Sequence, residues 1–275
     1  MQVDHQVPEL HQDRPHSARM YDYYLGGKTN YRADRAAAGQ VVAAWPGVMV
    51  CARVNRAFMR RAGRWLAAEQ GIRQFLDIGT GIPTAPNLHQ VVQSVHPEAR
   101  VVYADNDPIV LTHAQALMAG TPEGRTAYIE ADATDPGAIL SAPELAETLD
   151  MSKPVAVSLV ALLHFVSDKH RPYDVIEQLV AALAPGSALV LTHVTPDFDP
   201  EGIGKVEQIY RAGGTDAQAR SKEEFTRFFD GLEMVEPGIE VPHRWRPDDG
   251  GAPHIGAGDV DDAEASMWAG VALKR

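Results

Sequence analysis

The stretch Asp77-Ile78-Gly79-Thr80-Gly81-Ile82-Pro83-Thr84 joins a short apolar run, Phe75 to Ile78, to a segment that reads as helix. Glycines at such a strand-to-helix turn allow a tight backbone bend and leave the chain bare, so that a ligand can lie against it. A lone G-x-G is weak evidence. It gains weight from two carboxylates at the ends of the strands that follow: Asp105, with Asn106 beside it, and Asp132 in Glu130-Ala131-Asp132-Ala133. A carboxylate at the first place can accept from both hydroxyls of a ribose. One at the second can accept from the exocyclic amine of adenine. A single strand-end aspartate more often caps the next helix. In series with the glycine loop, the three describe a pocket for an adenosine-bearing ligand at the carboxyl rim of an open α/β sheet.

Other candidates lie at the same rim. Leu163-His164-Phe165-Val166-Ser167-Asp168 follows the fourth strand, and His193 and Asp197 follow the fifth. Tyr21, Tyr23, Tyr24 and Asn30 fall in an N-terminal segment that could cover the site, since tyrosines combine apolar area with a polar tip. Packing within a helix is the plainer use of such a stripe. Gly27-Lys28-Thr29 suggests a phosphate-binding loop, but such a loop needs glycine at Asp22 and an apolar strand before it, and neither is present. The eleven histidines are scattered with no metal-ligand spacing, so no metal site is expected.

These residues need a scaffold, and the chain spells one out. Short, nearly continuous apolar runs at 75–78, 101–104, 127–129, 154–160 and 188–192 alternate with helical stretches at 87–95, 108–118 and 173–183. Unbroken apolar runs mark parallel strands covered on both faces, and strict alternation with helices marks a doubly wound α/β fold. A helix at 201–212 and a capping-box helix opened by Ser221-Lys222-Glu223-Glu224 come next. Strands at 232–235, 239–241 and 267–273, with a polar Gly/Asp-rich loop at 247–262, predict an antiparallel hairpin at the sheet edge. Ahead of the sheet, residues 1–15 read as a flexible arm, 16–70 as an N-terminal helical cap and 71–275 as the Rossmann-like domain.

Composition narrows the classes. Hydrophobic residues are 45% of the 275, enough for an ordinary globular core. A formal charge of −12 repels phosphate backbones, so no nucleic-acid partner is expected. The row Arg53, Arg56, Arg60, Arg61, Arg64 reads as a solvated helix face. No apolar run approaches the roughly 20 residues of a membrane span, and Met1 to Pro15 has no apolar leader core, so no membrane partner is expected. A single cysteine, Cys51, fits a reducing, cytoplasmic setting.

With these motifs in place, the chain resembles class I S-adenosylmethionine-dependent methyltransferases. More closely, it is similar to a bacterial family of largely uncharacterised methyltransferases that has the text of Arg14 to Gly27, the loop Asp77 to Thr84, and segments like Arg220 to Phe229 and Leu232 to Gly238. The resemblance implies a seven-stranded, mostly parallel sheet in the order 3-2-1-4-5-7-6 with helices on both faces. It implies S-adenosyl-L-methionine as cofactor and a small-molecule methyl acceptor. Asp77, Gly79 and Gly81, with Thr80 between them, would meet the methionine part, Asp105 and Asn106 the ribose, and Asp132 and Ala133 the adenine. His164 stands where small-molecule O-methyltransferases carry a catalytic base, and Tyr21, Tyr24, Asn30 and His193 are candidates for the acceptor. The loop departs from the usual form, because Pro83 replaces the third glycine. A nicotinamide-dependent oxidoreductase, disfavoured by Thr84 where its loop needs glycine, and a sensor that binds the cofactor without turnover are the alternatives.

Overall fold

The computed structural model describes residues 12–117, 119–247 and 260–275. Residues 1–11 of the expected arm and most of the expected 247–262 loop lie outside this range. Seven strands, β1 (Gln74–Ile78), β2 (Arg100–Asp105), β3 (Arg125–Glu130), β4 (Ala156–Leu159), β5 (Ala188–Val194), β6 (Glu233–Met234) and β7 (Met267–Leu273), form one sheet in the order β3-β2-β1-β4-β5-β7-β6. β7 runs antiparallel to β5 and β6, and the other pairs are parallel. The order reverses between β1 and β4, which opens a crevice at the carboxyl rim, the usual ligand position in such sheets. The register sets Ile78 beside Ala104 and Asp105 beside Glu130, so the ends of β1, β2 and β3 stand level there.

Alternate residues of each strand serve opposite faces. Leu76, Ile78, Val102, Ala104, Val157 and Leu159 pack on one side against Ile139, Leu145, Val175, Ile176 and Leu179. Phe75, Val101, Tyr103, Ala156 and Val190 pack on the other against Phe58, Met59, Ala62 and Leu66. Both faces are covered, which is why the strands read as unbroken apolar runs.

Three helices precede the sheet: α1 (Ser17–Tyr24), α2 (Arg32–Ala44) and α3 (Val48–Ala68). The second half of α3 lies on the sheet. Its first half joins α1, α2 and the helix Pro200–Ala212 in a separate cluster that includes Met20, Tyr24, Val41, Trp45, Cys51, Ile203 and Tyr210. The arginine row of α3 is not simply a solvated face. Arg56 donates to the carbonyls of Thr84 (2.6 Å) and Pro86 (3.3 Å), and Arg61 to those of Trp245 and Pro242.

The C-terminal half holds one difference from expectation. The run 239–241 forms no strand; Glu240 makes one isolated bridge to Ala269, and the edge pairing falls to the two residues of β6 against β7. Pro237, which has no N–H to give, and Gly238 at φ +84° turn the chain away directly after β6. The capping box is formed as read: Ser221 Oγ accepts from the Glu224 N–H and the Glu224 carboxylate from the Ser221 N–H. Among the described residues, no single helix is long and apolar enough to cross a membrane.

Candidate functional site

A cleft of about 550 Å³ lies over the carboxyl rim where β1 and β2 end. Its walls include Asp77, Gly79, Thr80, Gly81, Asp105, Asn106, Asp132 and Ala133, so every residue expected to meet the cofactor borders one space. The glycine turn explains itself locally. Gly79 and Gly81 hold φ of +73° and +67°, a region costly for any residue with a Cβ. The Gly79 N–H continues the sheet by donating to Ala104 O at 2.8 Å, and Thr80 Oγ1 ties back to Asp77 O at 3.1 Å. A Cβ on Gly79 would lie 2.6 Å from Leu162, whereas one on Gly81 would meet no protein atom within 4 Å. A Cβ on Gly79 would have to displace the Leu162 side chain, whereas Gly81 leaves free space beside the cleft.

The carboxylates differ in setting. Asp105 is buried and accepts one backbone N–H on each oxygen, from Gly81 (2.9 Å) and Asp107 (3.0 Å). Each oxygen keeps a further lone pair. Burial raises its pKa, against the pull of those two bonds. Asp77 is pushed up to about 6 by burial, opposed by the Ser158 hydroxyl at 2.5 Å and by Arg56. Asp132 stands exposed at the mouth. Burial would raise its pKa, but bonds from the Thr134 N–H (2.8 Å) and hydroxyl (2.7 Å) and from Asn106 (3.3 Å) outweigh it and hold the group below the ordinary value.

Beside the cleft is a second, mostly apolar chamber of about 60 Å³. The two share Ser17, Tyr21, Ala161 and Phe165 as walls. His164 and Tyr24 border the chamber. Burial, with the Arg220 charge second, pushes the His164 imidazole down to about 3, and its buried Nδ1 has no hydrogen-bond partner. Tyr24 is buried, and its hydroxyl shares a hydrogen bond of 3.1 Å with that of Tyr210. Tyr21 donates to Ala52 O at 3.0 Å and accepts from Asn55 at 2.8 Å, which fixes it between the two spaces.

Two acceptor candidates border neither space. Asn30 spends its amide on Asp22 (2.7 Å) and Gly27 O (3.0 Å), holding the turn after α1. His193 is fully buried and works as structure: Nδ1 donates to Val194 O at 2.7 Å, so bare Nε2 can accept from Arg220 at 2.8 Å. Arg220, 1% exposed, also donates to Leu163 O (3.2 Å), Val166 O (3.0 Å) and Asp168 (2.7 Å), and so clamps the turn that carries His164. Sequence reasoning named Arg220 only as the start of a segment shared with the family and gave it no role. It also missed Asn55, whose side chain borders the cleft with a buried, unpartnered Oδ1. Neither carries a local spacing signal. Arg14 to Arg19 border the cleft too, within the very segment that supports the resemblance.

The profile of a family described as S-adenosyl methyltransferase matches residues 4–275. The chain belongs to that family. The crystal structure of a DUF574 family protein from Streptomyces avermitilis is 48% identical, with 96% of this chain and 99% of that chain covered and a TM-score of 0.92. A methyltransferase candidate from Thermobifida fusca is 41% identical over 98% of both chains, with a TM-score of 0.87. No curated protein matches the chain. The methyltransferase thus takes S-adenosylmethionine as its cofactor, and the oxidoreductase alternative falls.

Proposed function

We propose that this methyltransferase alkylates a small-molecule acceptor by in-line displacement, with the cofactor lying over the Gly79–Gly81 turn. The observation that carries the reading is the pairing of two spaces, a large cleft rimmed by carboxylates and a small apolar chamber, with four shared walls. Bound cofactor supplies a methyl group already activated by its sulfonium, so the chain's main task is to position and dehydrate the partners. The residues present fit that group. The spare lone pairs of Asp105 suit ribose hydroxyls, Asn106 supports the same region, and Asp132 with Ala133 suits adenine. Asp77, Gly79, Thr80 and Gly81 suit the methionine part, with Asn55 Oδ1 free to accept from it.

The acceptor belongs in the chamber, between Tyr21 and Tyr24, with His164 against it. A general base adds about 10²- to 10⁴-fold and works best with a pKa near the working pH. An imidazole pushed down to about 3 is a weak proton store, and its role here is to hold the acceptor through a neutral ring. Charge supports the choice of acceptor: at −12, the surface repels nucleic acids. Buried, free Cys51 suits a reducing, cytoplasmic setting. The test is incubation with methyl-labelled cofactor and a metabolite extract, followed by size separation. Label should move to the small-molecule fraction. Label only in protein or RNA would overturn the acceptor class, and intact cofactor with every fraction would favour a sensor without turnover.

A further inference from the structure

The chamber's chemistry narrows the acceptor further, on the methyl-transfer reading just given. We infer that the acceptor is an uncharged molecule that seats about one ring, bearing a hydroxyl or similar polar head, in the chamber between Tyr24, Tyr210 and His164. Size is the first observation. At about 60 Å³ the chamber is far smaller than the cleft of about 550 Å³, room for one small ring rather than an extended molecule. Shape agrees, because Tyr24, Trp45, Phe165 and Tyr210 present rings, with Phe165 and Tyr210 at 5.0 Å between centroids.

Charge is the second observation. Among the described residues, no lysine or arginine borders the chamber. An anionic head would be buried without a partner, which is heavily penalised. Among the described walls the charged one is Glu207, and its carboxylate already accepts the Ala219 N–H and lies 3.4 Å from Arg211. A cationic head would compete for an engaged group.

Hydrogen-bond inventory is the third. The His164 Nδ1 is buried and unpartnered, and the ring stays neutral because burial opposes its charge. Of the two phenol hydrogens of Tyr24 and Tyr210, one is used between them and the other is left over. A neutral hydroxyl can accept from the spare phenol hydrogen; an apolar molecule cannot.

Calorimetry on the full chain saturated with S-adenosylhomocysteine separates these points, using phenol, toluene, benzoate and benzylamine as probes of one ring size. Phenol should bind at least tenfold tighter than the other three. Val206→Phe, at a chamber wall that does not border the cleft, should lose phenol binding tenfold or more and keep S-adenosylhomocysteine. Should that variant fail to fold, the double variant Tyr24→Phe with Tyr210→Phe replaces it, and there phenol should lose its advantage over toluene. Benzoate or benzylamine matching phenol, or undiminished phenol binding in a folded variant, overturns the inference. Absence of S-adenosylhomocysteine binding by the unaltered chain would instead overturn the underlying placement of the cofactor.

Discussion

Asp105 is held by the glycine turn and in return holds it, since its carboxylate takes the Gly81 N–H. Asp105→Ala should therefore weaken cofactor binding by on the order of 1.5–3 kcal/mol, the worth of a hydrogen bond to a charged group, measured by titration. Unchanged affinity would place the ribose elsewhere. The two glycines should separate under the same substitution. Gly79→Ala adds a Cβ against Leu162 as well as a strained φ, and should lower the melting temperature. Gly81→Ala meets no protein atom and should cost only about 1–2 kcal/mol of stability while reducing affinity more than Gly79→Ala does relative to that loss. Asp77 gives a pH prediction. Raised to about 6, it keeps its proton longer in the folded than in the unfolded chain. Its contribution to stability is thus full below about pH 4 and fades as pH rises through about 6. Cofactor affinity should move oppositely, rising through that window as the carboxylate forms, and Asp77→Asn should flatten the rise.

At the scale of elements, the turn after β4 is the part most dependent on a distant residue. Arg220 enters from the segment before the short helix Lys222–Thr226 and satisfies two carbonyls of the Leu163–Val166 turn, while His193 of β5 closes the clamp. Arg220→Gln cannot reach all four partners and leaves buried carbonyls unpaired. A loss of about 3 kcal/mol or more is expected in a denaturant melt, with weaker acceptor binding and smaller change in cofactor affinity. A loss under 1 kcal/mol would show that the turn holds itself. Parallel strands and their helices were legible because each strand shows apolar residues to both faces. The edge was less legible. Leu232 to Val241 alternates apolar residues with Glu233, Glu236 and Glu240, and Pro237 and Gly238 break it, so pairing is reduced to β6 and one bridge.

For the whole molecule, the decisive arrangement is the docking of the N-terminal segment over the rim. Buried Asp34 takes the His16 N–H (2.9 Å) and the Tyr31 N–H (2.8 Å) and lies 3.2 Å from the Arg19 guanidinium, also buried. One carboxylate thereby ties the start of α1 to the start of α2, and with it holds Ser17 and Tyr21, walls of both spaces. Asp34→Ala would leave Arg19 without this charge partner in a buried place and should cost about 3–5 kcal/mol. Because the cleft loses its cover, cofactor affinity should fall too, although Asp34 does not border it. Stability lost with affinity unchanged would mean that the cleft does not depend on this segment.

The sequence by itself determined the inner strands of the sheet, their rim and the residues that line the cleft over it. These follow from local rules: a bare turn after β1 and strand-end carboxylates must meet wherever parallel strands end level. Only the tertiary structure decided what adjoins them. His193 looked like an acceptor residue, yet it is consumed by Arg220; Tyr24 looked like a lid, yet it pairs with Tyr210 from a helix 186 positions away. Those contacts join segments far apart in the chain, and a side chain's partner across such a distance leaves no mark in the spacing of its own neighbours.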